Sequence, residues 1–151
     1  SDDARRIIAD GFRSYEQVGL WRMLPLWASF AAGMSGLAYL LLIGILRMLR
    51  RRLRASDPLF VAFLAAVALF LPIPLFLGQS FLQLGDLTPA SALLALVTGL
   101  LPLAMLFGLW RSSGQDAADR SVRRDRLAML GVLQWVVVLA FWGLVPLRLW
   151  V

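Results

Sequence analysis

The chain has 151 residues, of which 60% are hydrophobic and 16% charged, with a net charge of +6. Soluble domains run near 45–50% apolar and about 25% charged, and here the charge is almost absent from four long apolar stretches, which is a membrane signature rather than a large soluble core. Cys, His, Lys and Asn are absent. That removes disulfides, the usual ligands of zinc, haem and iron–sulfur centres, and the lysine chemistry of Schiff bases, phosphate loops and Ser-x-x-Lys nucleophiles.

Residues 1–20, SDDARRIIADGFRSYEQVGL, are polar and mixed in charge. Ile8, Phe12 and Tyr15 fall at helical spacing with Ile7 beside them, so the segment reads as a short amphipathic helix leading to the membrane. Trp21 and Arg22 mark an interfacial entry point. The segment lacks the apolar core and cleavage pattern of a signal peptide.

Span 1 is expected over about 21–46, where 26 residues reach about 39 Å and cross a hydrocarbon core of about 30 Å. Pro25 is expected in its first turn, where a missing N–H costs little. Ser29, Ala32, Gly33 and Gly36 form a small-residue face that lets another helix approach closely, within this chain in preference to a dimer. Span 2 is expected over 59–84, capped by Asp57 with Pro58 behind it. Pro72 and Pro74 lie inside it and predict a kink or break near 71–74. Gln79, Ser80, Gln83 and Asp86 form a polar cluster at its outer end, read as a wet helix end with a ligand or partner contact as the alternative.

Span 3 is expected over 89–110, opened by Thr88-Pro89 and closed by Trp110 and Arg111 as an interfacial pair. Span 4 is expected over 126–147, ended by Pro146, with Gln134 making an interhelical hydrogen bond inside it. No span interior carries an Asp, Glu, Lys, Arg or His, which counts against a proton-coupled pump or a voltage sensor. The sequence therefore yields no candidate catalytic, cofactor-binding or metal-ligating residue.

The arginines set the topology. Arg47, Arg50, Arg51, Arg52 and Arg54 occupy the connection between spans 1 and 2. Arg111, Arg120, Arg123, Arg124 and Arg126 occupy the one between spans 3 and 4, and the connection at 85–91 has no basic residue. Short arginine-rich loops stay in the cytoplasm, so both termini are expected outside. The expected partners are the lipid bilayer and, at the cytoplasmic loops, anionic headgroups attracted at about 1 kcal/mol per arginine; nucleic acid is not expected. A charged N-terminus on the outer side, without a signal peptide of its own, leads to the expectation that an extracytoplasmic domain precedes residue 1.

The segments LTPASALLALVTGLLPLAMLFGLW (87–110) and RRDRLAMLGVLQWVVVLAFWGLVPLRLW (123–150), with RRRLRASDP before them, carry a resemblance. Together with the N-out topology they resemble the C-terminal membrane region of bacterial serine hydrolases related to class C β-lactamases and penicillin-binding proteins. The resemblance implies an inner-membrane anchor for an upstream serine hydrolase domain, with no catalytic residue in this chain, since the family's Ser-x-x-Lys and its Tyr and Lys partners are not in these residues. The alternatives are a non-catalytic subunit of a larger inner-membrane complex, using the small-residue face of span 1, and a small transporter. The expected fold is thus an all-α membrane protein, with a juxtamembrane segment over 1–20 and a four-helix module over 21–150.

Overall fold

The computed structural model describes residues 7–10, 13–16, 20–80, 87–116 and 119–146. Three of its helical segments, Met23–Leu49, Pro58–Leu77 and Pro89–Ser112, are long and apolar enough to cross a membrane. The helices α1 (Leu20–Leu49), α2 (Pro58–Ala68), α3 (Pro72–Leu77), α4 (Pro89–Ser112) and α5 (Arg120–Phe141) form an up-and-down bundle. The contacts make each neighbouring pair antiparallel. Ser29 and Arg47 of α1 meet Gln134 and Asp125 of α5, and Gly44 meets Phe63 of α2. Gly108 of α4 meets Pro58, Ala62 and Met129.

The N-terminal segment departs from the helix expected for it. Ile7–Asp10 (β1) and Arg13–Glu16 (β2) pair antiparallel, with Ile8 opposite Tyr15 and Asp10 opposite Arg13. The overlooked sequence signal is the pair Gly-Phe at 11–12, since a glycine-first dipeptide between two short runs reads as a hairpin in sequence. Eight residues of apparent 3.6 periodicity were too few to outweigh it.

Helix α1 begins at Leu20, so Pro25 lies beyond the first turn, inside the helix rather than at its start. At the other end Arg51 takes a left-handed conformation, φ 51°. The Arg52 N–H donates to the Arg47 carbonyl at 2.8 Å and the Arg51 N–H to Met48 at 2.9 Å. This paired arrangement closes a helix C-terminus and usually has glycine at the left-handed position. An L-residue there costs roughly 1–2 kcal/mol.

The second apolar stretch breaks where the two prolines require it. Helix α2 ends at Ala68, and i→i−3 bonds run through Leu69–Leu71 (Phe70 N–H to Val67 at 3.0 Å, Leu71 N–H to Ala68 at 3.0 Å) before α3 starts on Pro72. The Asp57 carboxylate caps α2, accepting from the Leu59 N–H at 3.0 Å. Helix α4 opens on a reciprocal box: Thr88 N–H donates to Ser91 Oγ at 2.9 Å, and Ser91 N–H to Thr88 Oγ1 at 3.3 Å. Helix α5 ends at Phe141, earlier than the expected stop at Pro146. Gly143, at φ 72°, accommodates the left-handed turn, and the Leu144 and Gly143 N–H groups reach back to Leu139 and Ala140 at 2.9 Å each. Glycine, not proline, ends this helix.

The interior is thin and the outside greasy. Leu40, Leu59, Met105, Met129 and Val132 are fully buried at the bundle centre. Phe141 is 90% exposed, Leu77 83% and Trp110 72%. Contiguous apolar surface of this extent suits lipid, not water. The helices are held close by small residues. A Cβ on Gly36 would sit 2.6 Å from the Ala128 carbonyl oxygen, and one on Gly33 would overlap the Trp135 side chain. The Trp27, Phe30 and Trp135 rings stack edge-on beside this contact, with centroids 6.3 and 5.8 Å apart.

Gly36→Ala is expected to destabilise the bundle by about 1–3 kcal/mol, because the obstructing atom is backbone and cannot swing aside. Gly114→Ala, with nothing within 4 Å of its Cβ, serves as the control. Unfolding in mixed micelles by steric trapping reads both; equal stability of the two variants would show that the helices can part at no cost.

Candidate functional site

The helices bring both arginine-rich connections to one end of the bundle, and there they build an ionic cluster. Arg47 sits on the last turn of α1, its side chain 21% exposed. Its Nη2 donates to Asp125 Oδ2 at 2.7 Å and to Ser121 Oγ at 3.0 Å, and its Nη1 to Asp57 Oδ2 at 3.2 Å. Tyr39, two turns earlier on α1, donates its hydroxyl to Asp125 Oδ1 at 2.9 Å. One guanidinium therefore ties α1 to the N-terminal cap of α2 and to the second turn of α5. Both oxygens of each carboxylate are engaged, since Asp57 Oδ1 holds the α2 cap.

Asp125 precedes the apolar stretch of α5. Burial pushes its carboxyl above the ordinary value, and this outweighs the lowering effect of the Arg47 and Tyr39 hydrogen bonds. Desolvation is the usual cost of a buried ion pair, repaid only when the geometry satisfies both partners.

A second arginine closes the same end. Arg126 donates through Nε to Ser112 Oγ at 3.1 Å, through Nη2 to the Gln115 carbonyl at 3.1 Å, and through Nη2 also to the Ser112 carbonyl. These acceptors lie at the C-terminus of α4, where a cation meets exposed carbonyls and the negative end of the helix dipole. A cavity of about 420 Å³ opens beside Arg47, lined by Tyr39, Arg50, Arg52, Ser121 and Arg124 among others.

The packing residues singled out in the sequence fall on the α1–α5 seam. Ser29 Oγ donates to Gln134 Oε1 at 3.2 Å, and Gln134 Nε2 returns a bond to the Ser29 carbonyl at 3.1 Å. Gly33 and Gly36 are buried in the same seam, whereas Ala32 is exposed at its edge. At the opposite end of the bundle Thr88 Oγ1 donates to Gln79 Oε1 at 3.4 Å, linking the ends of α3 and α4. Ser80 lies next to it, exposed; Gln83 and Asp86 lie outside the described residues. Of the ten arginines, Arg47 and Arg126 do more than mark topology, because each joins helices.

Sequence reading missed Asp57 as an ion-pair partner, and missed Tyr39, Ser121 and Asp125 altogether. The signal for Asp125 was present. It stands at helical spacing from Ala128, Met129, Val132 and Val136, which form the buried face of α5, so that face extends into the RRDR run.

Among the described residues, no buried side-chain nitrogen or oxygen lacks a hydrogen-bond partner. The arrangement is that of a fastening: its polar groups are matched to one another rather than presented to a reactant. No family model, no curated protein and no solved structure matches the chain.

Arg47→Ala is expected to cost about 3–5 kcal/mol, because it leaves two carboxylates facing each other without their shared cation. Arg47→Ala combined with Asp125→Asn should recover part of this loss; a single variant as stable as wild type would mean the cluster carries no weight. The pH dependence has a definite sign. A carboxyl whose folded value lies above its unfolded value stabilises most below the unfolded value, and that contribution is lost as pH rises through the folded value. Thermal unfolding followed upward from the ordinary aspartate range should therefore show a loss of stability that Asp125→Asn abolishes.

Proposed function

We propose that the chain is the membrane module of a bacterial inner-membrane protein, crossing four times with both termini extracytoplasmic, and that it anchors an extracytoplasmic domain lying upstream of residue 1. The observation that carries this reading is the gathering of both arginine-rich connections at one end of the bundle, around Arg47 and Arg126, with the Gln79–Thr88 contact at the other. Basic short loops remain cytoplasmic, so the first end faces in and the second faces out. The fourth crossing is α5. Its apolar helical part, Leu127–Phe141, reaches about 22 Å, and the apolar run continues through Trp142–Pro146 beyond the helix end. A short crossing of this kind is met by local thinning or by neighbours of greater length, and α1 supplies such a neighbour.

The anchored domain is proposed to be a serine hydrolase related to class C β-lactamases and penicillin-binding proteins. That choice rests on the likeness of segments 87–110 and 123–150 to the membrane region of such enzymes, and the chemistry would belong entirely to the upstream domain. The alternative of a subunit held in a larger complex through the small-residue face of α1 is weakened, since Trp135 and Val132 of the same chain already fill the space over Gly33 and Gly36.

The chain has no cysteine, so single cysteines report orientation cleanly. In intact cells an impermeant maleimide should label Ser80→Cys and leave Ser113→Cys unlabelled until the membrane is opened. The reverse pattern would overturn the topology. A fluorophosphonate probe on native membranes should label the polypeptide that contains these residues; a polypeptide that stays unlabelled, while control hydrolases react, would remove the serine hydrolase reading and leave the topology standing.

A further inference from the structure

A second cavity, also of about 420 Å³, runs along the α1–α5 seam toward the membrane centre and is lined by Ala32, Ser35, Gly36, Leu127, Ala128 and Gly131. It shares Tyr39 and Arg124 with the arginine-lined cavity, so the two lie side by side, and the chemistry changes sharply across those two side chains. The stripe of α1 that lines them runs from Ala32 through Gly36, Tyr39 and Ile43 to Arg47, and that of α5 runs from Gly131 through Ala128 and Arg124 to Ser121.

The polar half carries excess positive charge. Arg47 is matched by Asp57 and Asp125, whereas Arg50, Arg52 and Arg124 also face the cavity. The turn through Arg51, with its positive φ, puts Arg50 and Arg52 together on the lining. A phosphate, with more than one oxygen to share, is an anion that several guanidinium groups and an adjacent serine hydroxyl can recognise together. The apolar half is a shallow, open groove, recessed where its residues are small. Ser35 offers it no unmet donor, since its hydroxyl bonds back to the Ala31 and Ala32 carbonyls at 2.6 and 3.1 Å.

We propose that these two cavities together seat one anionic phospholipid, its phosphate among Arg50, Arg52 and Arg124 and an acyl chain along Ala32, Ser35, Leu127 and Gly131, the accessible part of the apolar lining. A free phosphate would use only the polar half. A lipid uses both, in the order in which headgroup and chain occur at the inner leaflet, and to that extent the proposal rests on the orientation given above. Leu127, at the groove's lip, is 58% exposed, so the groove is open from the side along which a lipid enters.

Native mass spectrometry of the detergent-released protein tests this with phosphatidylglycerol, phosphatidylcholine of the same chains, and inorganic phosphate. Wild type should retain one phosphatidylglycerol in clear preference to phosphatidylcholine. Arg50→Gln/Arg52→Gln/Arg124→Gln should weaken that binding by about fivefold per arginine, on the order of a hundredfold in all. Arg54→Gln/Arg120→Gln/Arg123→Gln removes equal charge outside the cavity and should change it little. Ala32→Leu, which fills the groove without touching the arginines, should weaken lipid retention and leave phosphate binding as in wild type. Equal losses in the two triple variants would reduce the effect to diffuse charge and overturn the site. Phosphate binding that displaces the lipid requirement, an Ala32→Leu variant with full lipid retention, or a dimer mass in place of the adduct would overturn the lipid assignment. Detergent has no leaflets, so a mistaken orientation would appear in the cysteine labelling alone and leave this outcome unaffected.

Discussion

The seam between α1 and α5 is the contact on which the rest of the bundle depends. In lipid there is no hydrophobic drive to press helices together, so association relies on close packing and on polar groups with no better partner elsewhere. The seam uses both. Gly33 and Gly36 remove the side chains that would hold α1 away from Trp135 and Ala128. Two polar fastenings lock the ends of the close approach, the reciprocal Ser29–Gln134 pair at one and Arg47–Asp125 at the other. Because α1 and α5 are far apart in sequence, joining them closes the bundle, with α2 packed between α1 and α4, and α4 between α2 and α5.

Arg47 extends the constraint to a third helix. Its two Nη atoms reach Asp57 and Asp125, so the start of α2 and the start of α5 are positioned by a single side chain. Asp57 is in turn the cap that starts α2. The arginine-rich connections and the folding contacts thus coincide in one residue: Arg47, of the residue type that marks cytoplasmic loops in membrane proteins, also assembles three helix ends. Arg126 performs the equivalent task for the end of α4.

Much of this was legible in the sequence, for identifiable reasons. Prolines and caps have local effects, so Asp57-Pro58, Thr88-Pro89 and the break before Pro72 could be read without tertiary knowledge. The small-residue face of α1 was readable from spacing alone. The N-terminal hairpin was not, because apolar residues at helical spacing masked the glycine-first pair at 11–12. The early stop of α5 was missed because Pro146 was credited with an ending that Gly143 provides. The ionic cluster escaped for a different reason. Asp125 is flanked by arginines in sequence, and a charge run is ordinarily a solvated face. Only the pairing of α1 with α5 buries it, and that pairing is a property of the fold rather than of any window of residues.

The distinction between fastening and site follows from which groups are matched. Within the seam each donor meets an acceptor: Tyr39 and Arg47 meet Asp125, and Gln134 meets Ser29. Matched groups rigidify a bundle, and a ligand would gain little by competing with them. At the arginine-rich end the balance changes, because two carboxylates answer Arg47 while Arg50, Arg52 and Arg124 face the same cavity. A membrane protein needs basic residues at that end for orientation, and the folded bundle concentrates several of them around a hollow rather than spreading them over the surface. Orientation requires only their number and side. Their convergence beside an apolar groove is a further property, and it gives an anionic lipid a definite place to stand.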